Sequence, residues 1–201
     1  MGTRHLIAVQ VDGEYKVAQY GQWDGYPSGQ GASILEFLRN HKKKLPAFAE
    51  AVRACSEMSE EDYEQAWVDC GANPDSDFVT ADVSEKFRQR YPYLSRDCCA
   101  DILNYVFNAG KNGLKLRYAL DFAADSLFCE WAYVIDLDKN TFEVFKGVNT
   151  TPLDPSERFA SLPVEPDNIG KQYYQVKLVQ SYDLDKLPTV KEFVSTLKKE
   201  E

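Results

Sequence analysis

The sequence predicts one α+β domain over residues 1–201, an antiparallel sheet carrying a helical insertion at about 32–110. Three observations predict it. Segments with a two-residue apolar period stand at both ends of the chain, segments with a 3.6-residue period fill the middle, and no linker or internal repeat divides them. The sheet is therefore expected to combine an N-terminal hairpin with C-terminal strands, the helices packing on it.

The hairpin comes first. Residues 4–11 are rich in β-branched types, and 14–20 alternate, with Tyr15, Val17 and Gln19 expected on one face. Between them stands Asp12-Gly13. A two-residue hairpin turn needs positive φ at both central positions, which Asp-Gly tolerates. A loop with four glycines follows at 21–31, and then Ile34, Leu35 and Leu38 at helical spacing. Pro46 belongs in the first turn of the next helix, whose stripe is Phe48, Val52 and Cys55. Ser59 ahead of Glu60, Glu61 and Asp62 marks a third N-terminus, with Gly71 as its stop. After a polar turn at 73–77, Thr80 caps a helix carrying Val83 and Phe87, ended by Tyr91-Pro92. Ser95 is read as the cap of another, with Cys99, Ile102, Leu103 and Val106 inward. Residues 114–125 read equally as strand or helix. Period two returns at 128–135, 141–145 and 173–182, with a proline-rich surface loop at 149–170. Pro188 opens a last helix carrying Val190, Phe193, Val194 and Leu197.

Composition narrows the function classes. The net charge of −9 and a pI near 4.8 argue against a nucleic-acid partner, since phosphate contacts require basic surface. The one basic cluster, His41 with Lys42, Lys43 and Lys44, reads as a solvated helix end. No apolar run is long enough to span a membrane, and no secretory signal is recognisable, so no membrane partner is expected. The cysteines number five, Cys55, Cys70, Cys98, Cys99 and Cys129, with no C-x-x-C pair. Buried reduced thiols in a cytoplasmic protein are the expectation, with no zinc set and no cofactor. Adjacent Cys98 and Cys99 cannot share the core side of one helix, so one of them is expected at the surface.

Two chemical patterns fail on inspection. Asp136-x-Asp138-x-Asn140 copies the first ligand positions of a calcium loop, but Thr141 stands where Gly is required and Gly147 where Glu is required. An N-terminal nucleophile would need a reactive side chain at the exposed terminus; Gly2 has none, and Thr3 would serve only after Gly2 was removed.

The loop Gln22-Trp23-Asp24-Gly25-Tyr26-Pro27-Ser28-Gly29-Gln30-Gly31 is the densest candidate. It joins a strand to a helix, where backbone amides at Gly29 and Gly31 can meet an anion and Arg4 can add counter-charge. Its glycine spacing is neither the dinucleotide-binding fingerprint nor a P-loop. The Gly2-Thr3-Arg4 start with Asp24-Gly25-Tyr26-Pro27-x-Gly29-x-Gly31 resembles a widespread group of uncharacterised proteins of bacteria, phages and fungi. The likeness covers roughly the first forty residues and, more faintly, 131–147, and it implies no particular activity. The expected function is a binding or regulatory module for a small polar or anionic ligand held by Arg4, Trp23, Asp24, Gly25, Tyr26, Gly29 and Gly31. The alternatives are a hydrolase-like enzyme in the same pocket, with Asp24 as acid or base, and a protein-interaction domain using an acidic surface. Oligomeric state is not fixed by the sequence.

Overall fold

The computed structural model describes residues 2–76, 78–165 and 170–199. Asp77 of the expected polar turn, 166–169 of the expected loop and the last two residues lie outside the described residues.

Strands β1 (His5–Val11) and β2 (Glu14–Gly21) form the hairpin. Its turn has φ of 54° at Asp12 and 78° at Gly13, both positive as the Asp-Gly pair requires. The turn is held from outside as well. The Asp138 carboxylate accepts the Asp12 and Gly13 amides, and Arg53 pairs with the Asp12 carboxylate. One expectation is corrected within the hairpin. Val9 opposes Val17 but Gln10 opposes Tyr15, so Lys16 is the extra residue of a β-bulge. A bulge switches faces, so Val17 joins the cluster under the helices whereas Tyr15 packs on the opposite face.

The remaining long strands are β5 (Trp131–Asp136), β6 (Thr141–Lys146) and β7 (Lys177–Asp183), after a short parallel pair, β3 (Ser56–Glu57) with β4 (Lys115–Leu116). The main sheet runs β2-β1-β5-β6-β7. It is mostly antiparallel, with one difference from expectation: β1 and β5 are parallel, His5 opposing Trp131 and Ile7 opposing Tyr133. Parallel neighbours need a long crossover, which the intervening helical segment supplies. Both strands are buried on both faces, which explains the nearly continuous apolar run His-Leu-Ile-Ala-Val.

Helices α1 (Ala32–Asn40), α2 (Leu45–Arg53), α5 (Asp101–Ala109) and α6 (Val190–Leu197) share one core with one sheet face. In it Ile34, Leu38, Phe48, Val52, Ile102, Leu103 and Phe193 cluster with Ile7, Val9, Tyr133, Phe142 and Val144. Thr189 and Glu192 close a reciprocal capping box on α6. Between α2 and α5, α3 (Glu60–Val68) and α4 (Ala81–Arg90) form a satellite in which Trp67 stacks on Phe87 at 3.8 Å. The other sheet face is covered by irregular chain instead, through Ala123, Cys129, Phe159 and Val176 against Leu6, Ala8, Ala132, Val134 and Phe145.

The cysteine expectation also changes. All five are free and buried, Cys98 and Cys99 included. The single-helix argument fails because α5 begins only at Asp101, and Cys99, at φ 50°, turns the chain so that both thiols face inward. Ser95 accordingly caps a turn, accepting the Asp97 amide. No helix among the described residues is long and apolar enough to cross a membrane.

Candidate functional site

The 22–31 loop folds back on the first strand and is closed by its own hydrogen bonds. The Gly25 amide donates to the Thr3 carbonyl (3.0 Å), and the Gly29 and Gly31 amides both donate to the Tyr26 carbonyl (3.0 and 3.2 Å). Tyr133 Oη donates to the Gly25 carbonyl at 2.8 Å. The two amides read as an anion cradle, those of Gly29 and Gly31, are thus each paired with backbone. Close approach explains three of the loop's glycines, Gly29 among them, where a Cβ would run into the Asp24 carbonyl oxygen. A Cβ at Gly25 would lie 2.7 Å from the Thr3 carbonyl oxygen, and one at Gly31 would lie 2.9 Å from the Tyr133 ring. Gly31→Ala is therefore expected to destabilise by about 1–3 kcal/mol, as overpacking does. Chemical denaturation reads the effect, and a loss within error would remove the packing account of that glycine.

Around the turn, Asp24 is exposed and held at φ 53°, Trp23 and Tyr26 are half-exposed, and Trp23 Nε1 donates to Asp97 Oδ1 at 2.8 Å. The structure does not bring Arg4 to this group. Strand alternation sends Arg4 to the opposite sheet face, where its guanidinium lies 4.4 Å from the centre of the Phe128 ring. His5, its neighbour, lies on the loop side, completely buried across Gly21 and Gly25, with neither ring nitrogen hydrogen-bonded among the described residues. Burial pushes its pKa down to about 4 against the weaker opposing pull of the Thr3 backbone and Asp24. Three clefts of the described surface, of about 620, 450 and 350 Å³, take no wall from 22–31.

The largest of these clefts lies on the sheet face that carries Arg4. One wall is 119–128, the other is 163–165 with Tyr173, and Tyr20 closes the end. A 3-10 turn over Leu120–Ala124 holds the first wall, anchored because the buried Ala123 packs on the sheet and its carbonyl accepts the Val176 amide. Four rings line the space, Tyr20, Phe122, Phe128 and Tyr173, with the Tyr20 and Phe122 rings edge to face at 5.0 Å. The polar lining is acidic: Asp121, Asp125 and Glu165, all exposed.

The second wall hangs on a buried ionic knot. Arg158 donates through Nε to Glu143, through Nη1 to Gln10 and Tyr15, and through Nη2 to Asp136 and Glu143. All five guanidinium N–H groups are thereby used, so Arg158 holds the 149–165 segment down and has no donor left for a ligand. Asp136 does not behave as a calcium ligand here: its Oδ1 accepts the Asp138 and Lys139 amides, as in an Asx turn.

Neither a protein-family model, nor a curated protein, nor a solved structure matches the chain.

The cleft was not legible in the sequence because its rings come from separate segments between residues 20 and 173, and strand alternation at Tyr20, Phe128 and Tyr173 does not encode that they meet Phe122. The one signal available was the pair of aromatic residues Tyr118 and Phe122 in a stretch that read equally as strand or helix, just ahead of Phe128.

Proposed function

We propose that this protein is a binding module for a small organic molecule, and that its site is the cleft between 119–128 and 163–165 with Tyr173. The observation that carries the reading is the combination of size and lining. A space of about 620 Å³ walled by Tyr20, Phe122, Phe128 and Tyr173 falls in the range of ligand pockets, which are mostly apolar with a few placed polar groups. The opening loop supports this differently from the sequence expectation: its amides are paired, and Arg4 stands beside the cleft over Phe128.

The test is a thermal-shift screen of ring-bearing small molecules against the protein and against Ala124→Phe, which places a side chain in the cleft at a half-exposed position. Stabilisation seen with the native chain is expected to vanish in Ala124→Phe while the variant's circular dichroism is unchanged. Equal stabilisation of both proteins would move the site elsewhere. Asp24→Asn is expected to leave every shift in place.

A further inference from the structure

The lining of the cleft also carries information about ligand charge. Of the charged side chains that line it, all three are carboxylates, Asp121, Asp125 and Glu165, and none of them takes part in an ion pair or side-chain hydrogen bond among the described residues. Two of the four rings already bear cations of the chain itself: the Arg4 guanidinium over Phe128 at 4.4 Å and the Lys171 ammonium over Tyr173 at 5.4 Å. A fourth carboxylate stands close by, since Glu130 accepts the Arg4 backbone amide. Counting these neighbours, four carboxylates face two cations, on a chain whose net charge is −9.

Ring faces are electron-rich and attract cations, more strongly when water is partly excluded. Unpaired carboxylates at the rim add a field of the same sign and penalise an anion by like-charge repulsion. The remaining pair, Tyr20 and Phe122, carries no cation among the described residues. We infer that the cleft takes a small organic cation, an amine or quaternary ammonium joined to an aromatic or aliphatic body. The body packs between Phe122, Leu127 and Val164, and the charged head lies toward Asp121 and Asp125. This rests on the reading of the cleft as the binding site.

The experiment uses three probes of one shape and different charge: 1-naphthylmethylamine, 1-naphthalenemethanol and 1-naphthylacetate. Binding to the whole chain is measured by ligand-observed NMR titration at low salt. The amine is expected to bind at least tenfold more tightly than the alcohol, and the acetate more weakly than either. The double variant Asp121→Asn/Asp125→Asn is expected to bring the amine to the alcohol's affinity without moving the alcohol. Raising the salt concentration should weaken the amine alone. If alcohol and acetate bind as well as the amine, and Ala124→Phe abolishes all three, the cation inference falls and the site stands. If no probe binds, or binding persists in Ala124→Phe, the site reading falls and the inference with it.

Discussion

Replacing Arg158 with methionine is expected to cost about 3–5 kcal/mol of unfolding free energy, the largest single loss outside the apolar core. The reason is what the substitution leaves behind. The Arg158 side chain is 9% exposed and faces Asp136 at 0% and Glu143 at 11%. Without the guanidinium both carboxylates stay buried with no counter-charge, and the desolvation that the pair tolerated is no longer offset. The pH dependence has a definite sign. Burial is the largest single influence and raises the Asp136 pKa, but the Arg158 hydrogen bond, the Lys139 amide and the charges of Arg158 and Lys139 together outweigh it and hold the carboxyl below its ordinary value. In the native chain that contribution is present at neutral pH and is lost as pH falls through the lowered pKa. In Arg158→Met burial is opposed only by the Lys139 amide and charge, so the carboxyl's pKa rises and the variant's deficit should shrink on acidification. Urea denaturation at pH 7 and pH 5 reads both effects. A deficit below about 1 kcal/mol at pH 7 would mean that the knot is solvated. The variant Arg158→Met/Asp136→Asn/Glu143→Gln should recover much of the loss, because neutral amides leave no buried charge uncompensated and keep an oxygen for the Asp138 and Lys139 amides.

The knot also shows what the sequence could not say. The hairpin was legible because its cause is local, two residues that accept positive φ at Asp12 and Gly13. The helices were legible through apolar spacing, and the Ser59 cap from its acidic followers; its hydroxyl does accept the Asp62 amide. The parallel pairing of β1 with β5 was not, because nothing in either strand encodes which long-range neighbour it takes. The bulge at Lys16 was hidden for a related reason: alternation looks unbroken until the partner's register is known. The 149–170 segment showed no period; its described part, 149–165, covers the sheet with single side chains, Phe159 against Phe145 and Arg158 into its carboxylates, instead of a regular element. Of the expected site residues, Trp23, Asp24 and Tyr26 are neighbours at one turn, while Arg4 belongs to the other face. The glycines were legible as necessary, but packing and a closed turn account for the contacts of Gly25 and Gly31.

Acid should expose the other buried charge problem, at His5. Its imidazole is wholly buried, with both nitrogens unpaired among the described residues, and its pKa in the folded chain is pushed down to about 4 from the ordinary 6.5. Between those two values the unfolded chain holds a proton that the folded chain does not, so unfolding is favoured as pH falls. The loss begins near pH 6.5, grows until about pH 4 and then levels off, since both states are protonated below that. A gap of this size corresponds to about 3 kcal/mol. The carboxylates whose pKa values are lowered in the fold, such as Asp62 and Glu192, act lower, losing their contribution as pH drops below the ordinary carboxylate range. The window from 6.5 to 4.5 therefore isolates the histidine. His5→Leu removes the titrating group and the unpaired nitrogens while keeping an apolar side chain between Gly21 and Trp131. Its stability should be nearly flat across that window, whereas the native chain falls steeply, so the difference between the two should move in the variant's favour by about 2–3 kcal/mol from pH 6.5 to 4.5. Parallel curves would show that His5 finds a partner on protonation, with the neighbouring Asp24 carboxylate and Thr3 carbonyl the groups placed to supply one. In that case the 22–31 turn, and not the imidazole alone, would be the element that responds to acid.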